Sequence, residues 1–172
     1  MPKNKKIFLD ITTMLAYISD LCNGGCNDTF NEAVLSKQAT DERELPALTA
    51  VTPFLSDRKL MTCQSALDDF WSIVNIMAGK GEKRRAQLLT DQLVVVPDCI
   101  SNRFTTLITS GQIKDRSKVI FGTADMVRSE ILTSNERFIR AAAAQNIHIS
   151  ANLHQPRALS EKKKLTSVSL SK

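Results

Sequence analysis

The stretch Ile7-Phe8-Leu9-Asp10-Ile11-Thr12-Thr13-Met14-Leu15-Ala16-Tyr17-Ile18 decides how the rest of the chain is read. An apolar triplet ends in a carboxylate, two threonines follow, and apolar residues then recur at helical spacing (Met14, Leu15, Ile18, Leu21). The triplet predicts a short strand buried on both faces. Thr12 or Thr13 can cap the helix that follows. In an open α/β sheet such a corner lies at the carboxyl ends of the strands, where ligands bind. Asp10 is therefore a candidate acid facing a crevice. The alternative is that it only caps the helix.

Working outward, the same grammar repeats. Lys59 to Cys63 predicts a second strand, followed by a helix with a cap at Ser65 and an apolar stripe of Ala66, Phe70, Ile73, Val74 and Met77. Asp69 falls beside that stripe near the helix start. Leu93-Val94-Val95-Val96-Pro97-Asp98 is the clearest buried strand. Val119 to Asp125 reads either as a strand ending in an acid or as the tail of a helix begun at Asp115 or Ser117. We prefer the strand, because β-branched and aromatic residues precede a glycine. Ile131 to Glu136 predicts a strand and turn, Phe138 to Gln145 a helix, and Ile147 to Leu153 a last alternating strand. Asp28 to Asp57 is mostly helical in pattern, with Asp28 or Thr29 as a cap. Alternating strands and helices point to a three-layer α/β/α fold around a mostly parallel sheet. Residues 1–155 are expected to form that domain. Residues 156–172 read as a basic tail in which Leu159 can dock.

At 172 residues with 42% apolar residues, the chain suits one domain with a sizeable core. No apolar run is long enough for a transmembrane helix, and the basic start lacks a secretory pattern, so an intracellular, cytoplasmic or nuclear protein without membrane contact is expected. Of the net charge of +5, Lys3, Lys5 and Lys6 carry +3 and the segment from Pro156 onward +4, so the body from Asp10 to Gln155 carries −2. Basic ends can hold phosphates, but they also serve as solubilising tails. Four cysteines without a secretion signal read as reduced thiols. Cys63 and Cys99 look buried. Cys22 and Cys26 flank Asn23-Gly24-Gly25 and could be half of a zinc site, but no second pair of that kind follows. His148 and His154 read as ordinary strand residues.

Several strand ends carry acids or amides: Asp10, Asp98, Asp125 and Asn135, with Asp69 joining from a helix start. Carboxylates without histidine or cysteine partners are the hard-oxygen setting for magnesium or manganese. Such sites hydrolyse phosphodiesters by activating water. Signatures of serine hydrolases, zinc proteases, dinucleotide folds and phosphate loops are missing from the sequence.

The order of elements resembles a PIN domain, the nuclease fold of toxin ribonucleases and RNA-processing factors. Phe8-Leu9-Asp10-Ile11-Thr12 resembles its first motif. Ser65-Ala66-Leu67-Asp68-Asp69-Phe70 resembles its second, with Asp69 in the acid's place. Leu132-Thr133-Ser134-Asn135-Glu136-Arg137-Phe138 resembles the late Thr-x-Asp-x-x-Phe motif. The likeness spans Lys6 to about Leu153. Asn23-Gly24-Gly25, Phe121-Gly122-Thr123-Ala124-Asp125 and His154-Gln155-Pro156-Arg157-Ala158-Leu159 add a closer resemblance to an uncharacterised eukaryotic PIN-like family. There the domain typically ends a longer chain, so a short member or a fragment is implied. The resemblance implies a ribonuclease in which Asp10, Asp69 and Asp125 hold Mg²⁺ or Mn²⁺ and act catalytically, while Thr12, Thr133 and Asn135 bind substrate. Single-stranded RNA is the implied partner, with a protein partner or a homodimer as alternatives. The departures are specific. Asn135 stands where an acid is usual, and Ser117 falls where the third acid is expected, with Asp115 and Asp125 nearby. An amide adds no negative charge to a metal site. The alternative reading is therefore an inactive PIN-like module that binds RNA or protein as a scaffold.

Overall fold

The computed structural model describes residues 5–165. Five parallel strands form one sheet: β1 (Lys6–Leu9), β2 (Lys59–Cys63), β3 (Val94–Val96), β4 (Glu130–Thr133) and β5 (Ala151–Leu153), in the order β3-β2-β1-β4-β5. Seven α-helices connect them: α1 (Ile11–Ile18), α2 (Ala33–Glu44), α3 (Gln64–Met77), α4 (Lys80–Thr90), α5 (Asn102–Thr105), α6 (Asp115–Met126) and α7 (Glu136–Ala144). Right-handed crossovers put α1 to α4 on one face of the sheet and α5 to α7 on the other. In keeping with this, α1 packs on α3 and α4, and α5 packs on α6. The architecture is the three-layer α/β/α arrangement around a parallel sheet that the sequence implied.

The centre of the sheet is the stretch with which the sequence reading began. Ile7, Phe8 and Leu9 are fully buried between β2 and β4. Phe70 and Val74 of α3 cover one face, and the stacked rings of Phe121 and Phe138, 4.3 Å apart, join α6 to α7 on the other. The direction of the crossovers reverses between β1 and β4. That reversal creates the topological switch point at which open α/β sheets form their crevice. Because all strands are parallel, every carboxyl end lies along one edge of the sheet and every amino end along the opposite edge.

Several expectations change. The run Val119 to Asp125 lies within α6, so the helix alternative is the one realised. Ile120, Phe121 and Ala124 form its buried stripe. Gly122 marks close packing rather than a strand end: a Cβ there would come within 2.8 Å of Ile100 Cγ2. β3 is an edge strand with Val94 exposed, because an apolar run announces a strand without announcing its place in the sheet. The last strand is shorter than expected, beginning at Ala151. α2 starts at Ala33, well after Asp28 and Thr29, and α3 starts at Gln64 with no side-chain cap on Cys63. Asp98 instead reaches across from the loop after β3 to accept from the Ser65 amide and hydroxyl. Cys99 is exposed, whereas Cys63 is buried as expected.

The segment after Pro156 is no loose tail over its described part. Arg157, Leu159 and Ser160 are buried. Arg157 Nε donates to Glu42 of α2 at 2.7 Å, both side chains being almost wholly enclosed. Glu82, fully buried in α4, accepts four backbone amides, those of Asp20, Gly79, Ser160 and Glu161. Glu161 in turn accepts the Gly81 and Glu82 amides at the start of α4. Burial raises the Glu161 pKa, but these amides outweigh it and hold the carboxyl below its usual range. Residues 166–172 of the expected tail, and Lys3, lie outside the described residues.

Candidate functional site

The switch point is built from the ends of β1, β4 and β5. Asp10 follows β1 and is 4% exposed. One of its oxygens accepts the Thr12 hydroxyl at 2.7 Å and the Thr13 amide at 2.9 Å. The other accepts the Thr133 hydroxyl at 2.5 Å. The Thr12 oxygen then accepts the Ser134 amide, and the Thr133 oxygen accepts the Asn135 amide, each at 2.9 Å. Asp10 is thus the N-cap of α1 and also the bolt that ties β1 to the β4–α7 turn. Burial pushes its carboxyl above the ordinary value, and the Thr12, Thr133 and Thr13 donors and His154 oppose that rise.

His154, which sequence reasoning set aside as an ordinary strand residue, completes the cluster. It follows β5 and is 7% exposed. A tautomer protonated at Nδ1 donates to the Gln155 carbonyl at 2.9 Å, leaving Nε2 to accept the Thr13 hydroxyl at 2.7 Å. Burial holds the imidazole below its ordinary 6.5. The only sequence hint was its position just after the last strand of a parallel sheet. His148 is exposed on the opposite edge.

The other predicted residues do not converge on Asp10. Asp69 lies on α3 with Arg116 Nε 2.8 Å from its carboxylate, so a guanidinium occupies the place where a cation would be needed. Asp125 lies near the end of α6, at the amino edge of the sheet, which corrects its reading as the third metal ligand. Arg103 grips it with two bonds, at 2.9 and 2.6 Å, and the Ser101 hydroxyl donates a third. The Arg103 bonds hold the Asp125 carboxyl below its usual range. Asn135 spends its side-chain oxygen capping α7 through the Phe138 amide at 3.2 Å. Thr12 and Thr133, expected to meet substrate, are committed to Asp10.

Among the described residues no group of three or more His, Cys, Asp or Glu side chains could hold a metal ion. A carboxylate engaged by three internal donors, two arginine-paired carboxylates and a capping amide do not gather the several oxygen ligands that Mg²⁺ or Mn²⁺ take. The zinc alternative fares no better, because among the described residues Cys22 and Cys26 belong to no group of three or more ligands that could hold the ion. Beside the cluster lies a cavity of about 420 Å³ between residues 45–50 and the ends of β4 and β5. Leu45, Pro46, Ala50 and Leu153 give it an apolar wall, and Ser134, Glu136 and His154 give it a polar one. No helix among the described residues is long and apolar enough to cross a membrane.

Known proteins share parts of this chain. An uncharacterised protein of Acanthamoeba polyphaga mimivirus, R220, is 25% identical over 130 residues, which make up 76% of this chain. The chain spans 36% of that relative's length. Among solved structures, a chain of VapBC2 from Rickettsia felis, bound to a DNA fragment from their promoter, superposes with a TM-score of 0.42 at 12% identity. The match covers 84% of this chain and 97% of that one. The profile of the DUF1308 family, described as proteins of unknown function, matches residues 7–168, and the chain belongs to that family.

Proposed function

We propose that this chain is a PIN-like module that works by binding an RNA or a protein rather than by metal-dependent hydrolysis. The observation that carries this reading is the engagement of Asp10 in three internal hydrogen bonds. Both carboxylate oxygens, in the position where a PIN nuclease would hold its metal, accept internal donors at 2.5 to 2.9 Å. The Arg116–Asp69 pair supports the same reading, because the guanidinium competes with a divalent cation for the second acid. In this reading the crevice is a structural joint whose side chains hold three strand ends together.

The test is cleavage of a labelled single-stranded RNA in Mn²⁺ by the wild type and by Asp10→Asn. Intact RNA with both proteins is expected. Cleavage by the wild type that Asp10→Asn loses would refute the binding reading and establish the nuclease.

A further inference from the structure

The amino edge of the sheet, opposite the Asp10 joint, gathers charge that the sequence scatters. Lys5 and Lys6 enter β1, Arg58 and Lys59 enter β2, and Arg128 precedes β4. Lys5, Lys6, Arg58 and Arg128 line one depression with Glu130 as its single carboxylate. Arg58 and Lys59 continue into a second depression with Leu55, Leu60 and Gln92. Glu130 is shared between Arg58, at 3.5 Å, and the Asn152 amide group, at 3.0 Å. Lys6 and Lys59 stand in register on neighbouring strands. Like charges paired across strands are destabilising unless something neutralises them.

We propose that this edge is a binding groove for a single-stranded nucleic acid. Three adjacent strands, about 4.8 Å apart, present cations in a row, which suits a run of phosphates rather than one compact anion. An aromatic ring fixes one of these cations in place. The Arg58 guanidinium lies over the Phe54 ring, 4.9 Å from its centroid. A positively charged groove that tracks the backbone is how proteins hold single strands without reading base edges. Arg128 adds a conformational signature. Its φ of 55° is left-handed, where glycine would sit without strain, yet the position carries a cation. The inference rests on the binding-module reading and moves the ligand to the edge away from Asp10.

The experiment is fluorescence anisotropy of a labelled single-stranded RNA of about 20 nucleotides in EDTA, with gel analysis of its integrity. If four cations each take a phosphate, affinity falls about fiftyfold between about 50 and 200 mM salt. Lys5→Gln with Arg128→Gly removes two of them, and the fall shrinks to about sevenfold. Glycine suits the left-handed φ at position 128, so this protein is expected to fold; Lys5→Gln alone, which lowers the salt slope by about 0.7, serves should it not. Lys114→Gln with Arg137→Gln removes the same charge at the carboxyl edge and is expected to bind like the wild type. No binding at about 50 mM salt, or equal weakening by both pairs of substitutions, overturns the proposal. RNA cleavage on adding Mn²⁺ would instead overturn the binding-module reading, since the groove is mapped without metal.

Discussion

Substituting Asp10 in two ways separates a joint from a metal ligand. Alanine removes three acceptor contacts at once. The Thr13 amide loses its cap, worth about 1 kcal/mol. The Thr133 hydroxyl, buried and 123 residues away in sequence, loses its acceptor, and a buried donor left unmade costs about 1–3 kcal/mol. Thr12 keeps the Ser134 amide and loses least. Removing a buried carboxylate returns part of this, so Asp10→Ala should destabilise by about 3 kcal/mol. Asparagine keeps the shape. Its oxygen serves Thr12 and Thr13, and its amide can donate to the Thr133 oxygen while the Thr133 hydroxyl turns to Thr12 Oγ1, 3.5 Å away. Asp10→Asn should therefore cost less than about 1 kcal/mol. The assay is urea unfolding followed by circular dichroism, with and without Mn²⁺. A site with a Kd of about 10 μM would add about 2.7 kcal/mol at about 1 mM Mn²⁺, whereas no shift is expected here. A small loss for alanine, or an Mn²⁺-dependent gain that asparagine abolishes, would refute the joint.

Four further outcomes follow from the geometry. Glu82→Gln presents an NH₂ group to two of the four amides that the carboxylate accepts, so unfolding in urea should show a loss of about 3 kcal/mol. His154 is held below 6.5 chiefly by burial, with Arg157 adding and the Gln155 carbonyl and Asp10 opposing. The unfolded chain therefore takes up its proton first, and stability falls as pH drops below 6.5 until the folded imidazole also protonates. His154→Gln should remove that slope in unfolding measured between pH 7.5 and about 5.5. Gly122→Ala drives a methyl group into Ile100 and should cost about 1–3 kcal/mol in the same assay. Thiol labelling of the folded protein should modify Cys99 first and spare Cys63, whose burial raises its thiol to about 12.

The sheet was legible because buried parallel strands write themselves as apolar runs, and β1, β2 and β4 appear where those runs fall. α6 was not, because Val119, Ile120 and Phe121 favour a strand locally and only packing on Ile100 and Phe138 settles the helix. Asp10 and Thr133 were legible as partners in one place through the likeness to PIN motifs. Whether that place holds a metal depended on side chains far away in sequence. Nothing around Arg116 announces that it closes on Asp69, and nothing around Asp125 announces which edge of the sheet it occupies. His154 was invisible for the same reason, since its partner Thr13 lies 141 residues earlier.

The bond between Asp10 and Thr133 also sets a clock for a chain made from one end. The central strand is made before every other strand of its sheet, and its second neighbour arrives 123 residues later. At ribosomal speeds of about 5–20 residues per second, β1 waits roughly 6–25 s with one flank unpaired. During that wait Ile7, Phe8 and Leu9 offer an apolar, open-edged strand to any other chain nearby. The lysines that enter β1 then act as gatekeepers, keeping nascent copies apart until β4 closes the sheet.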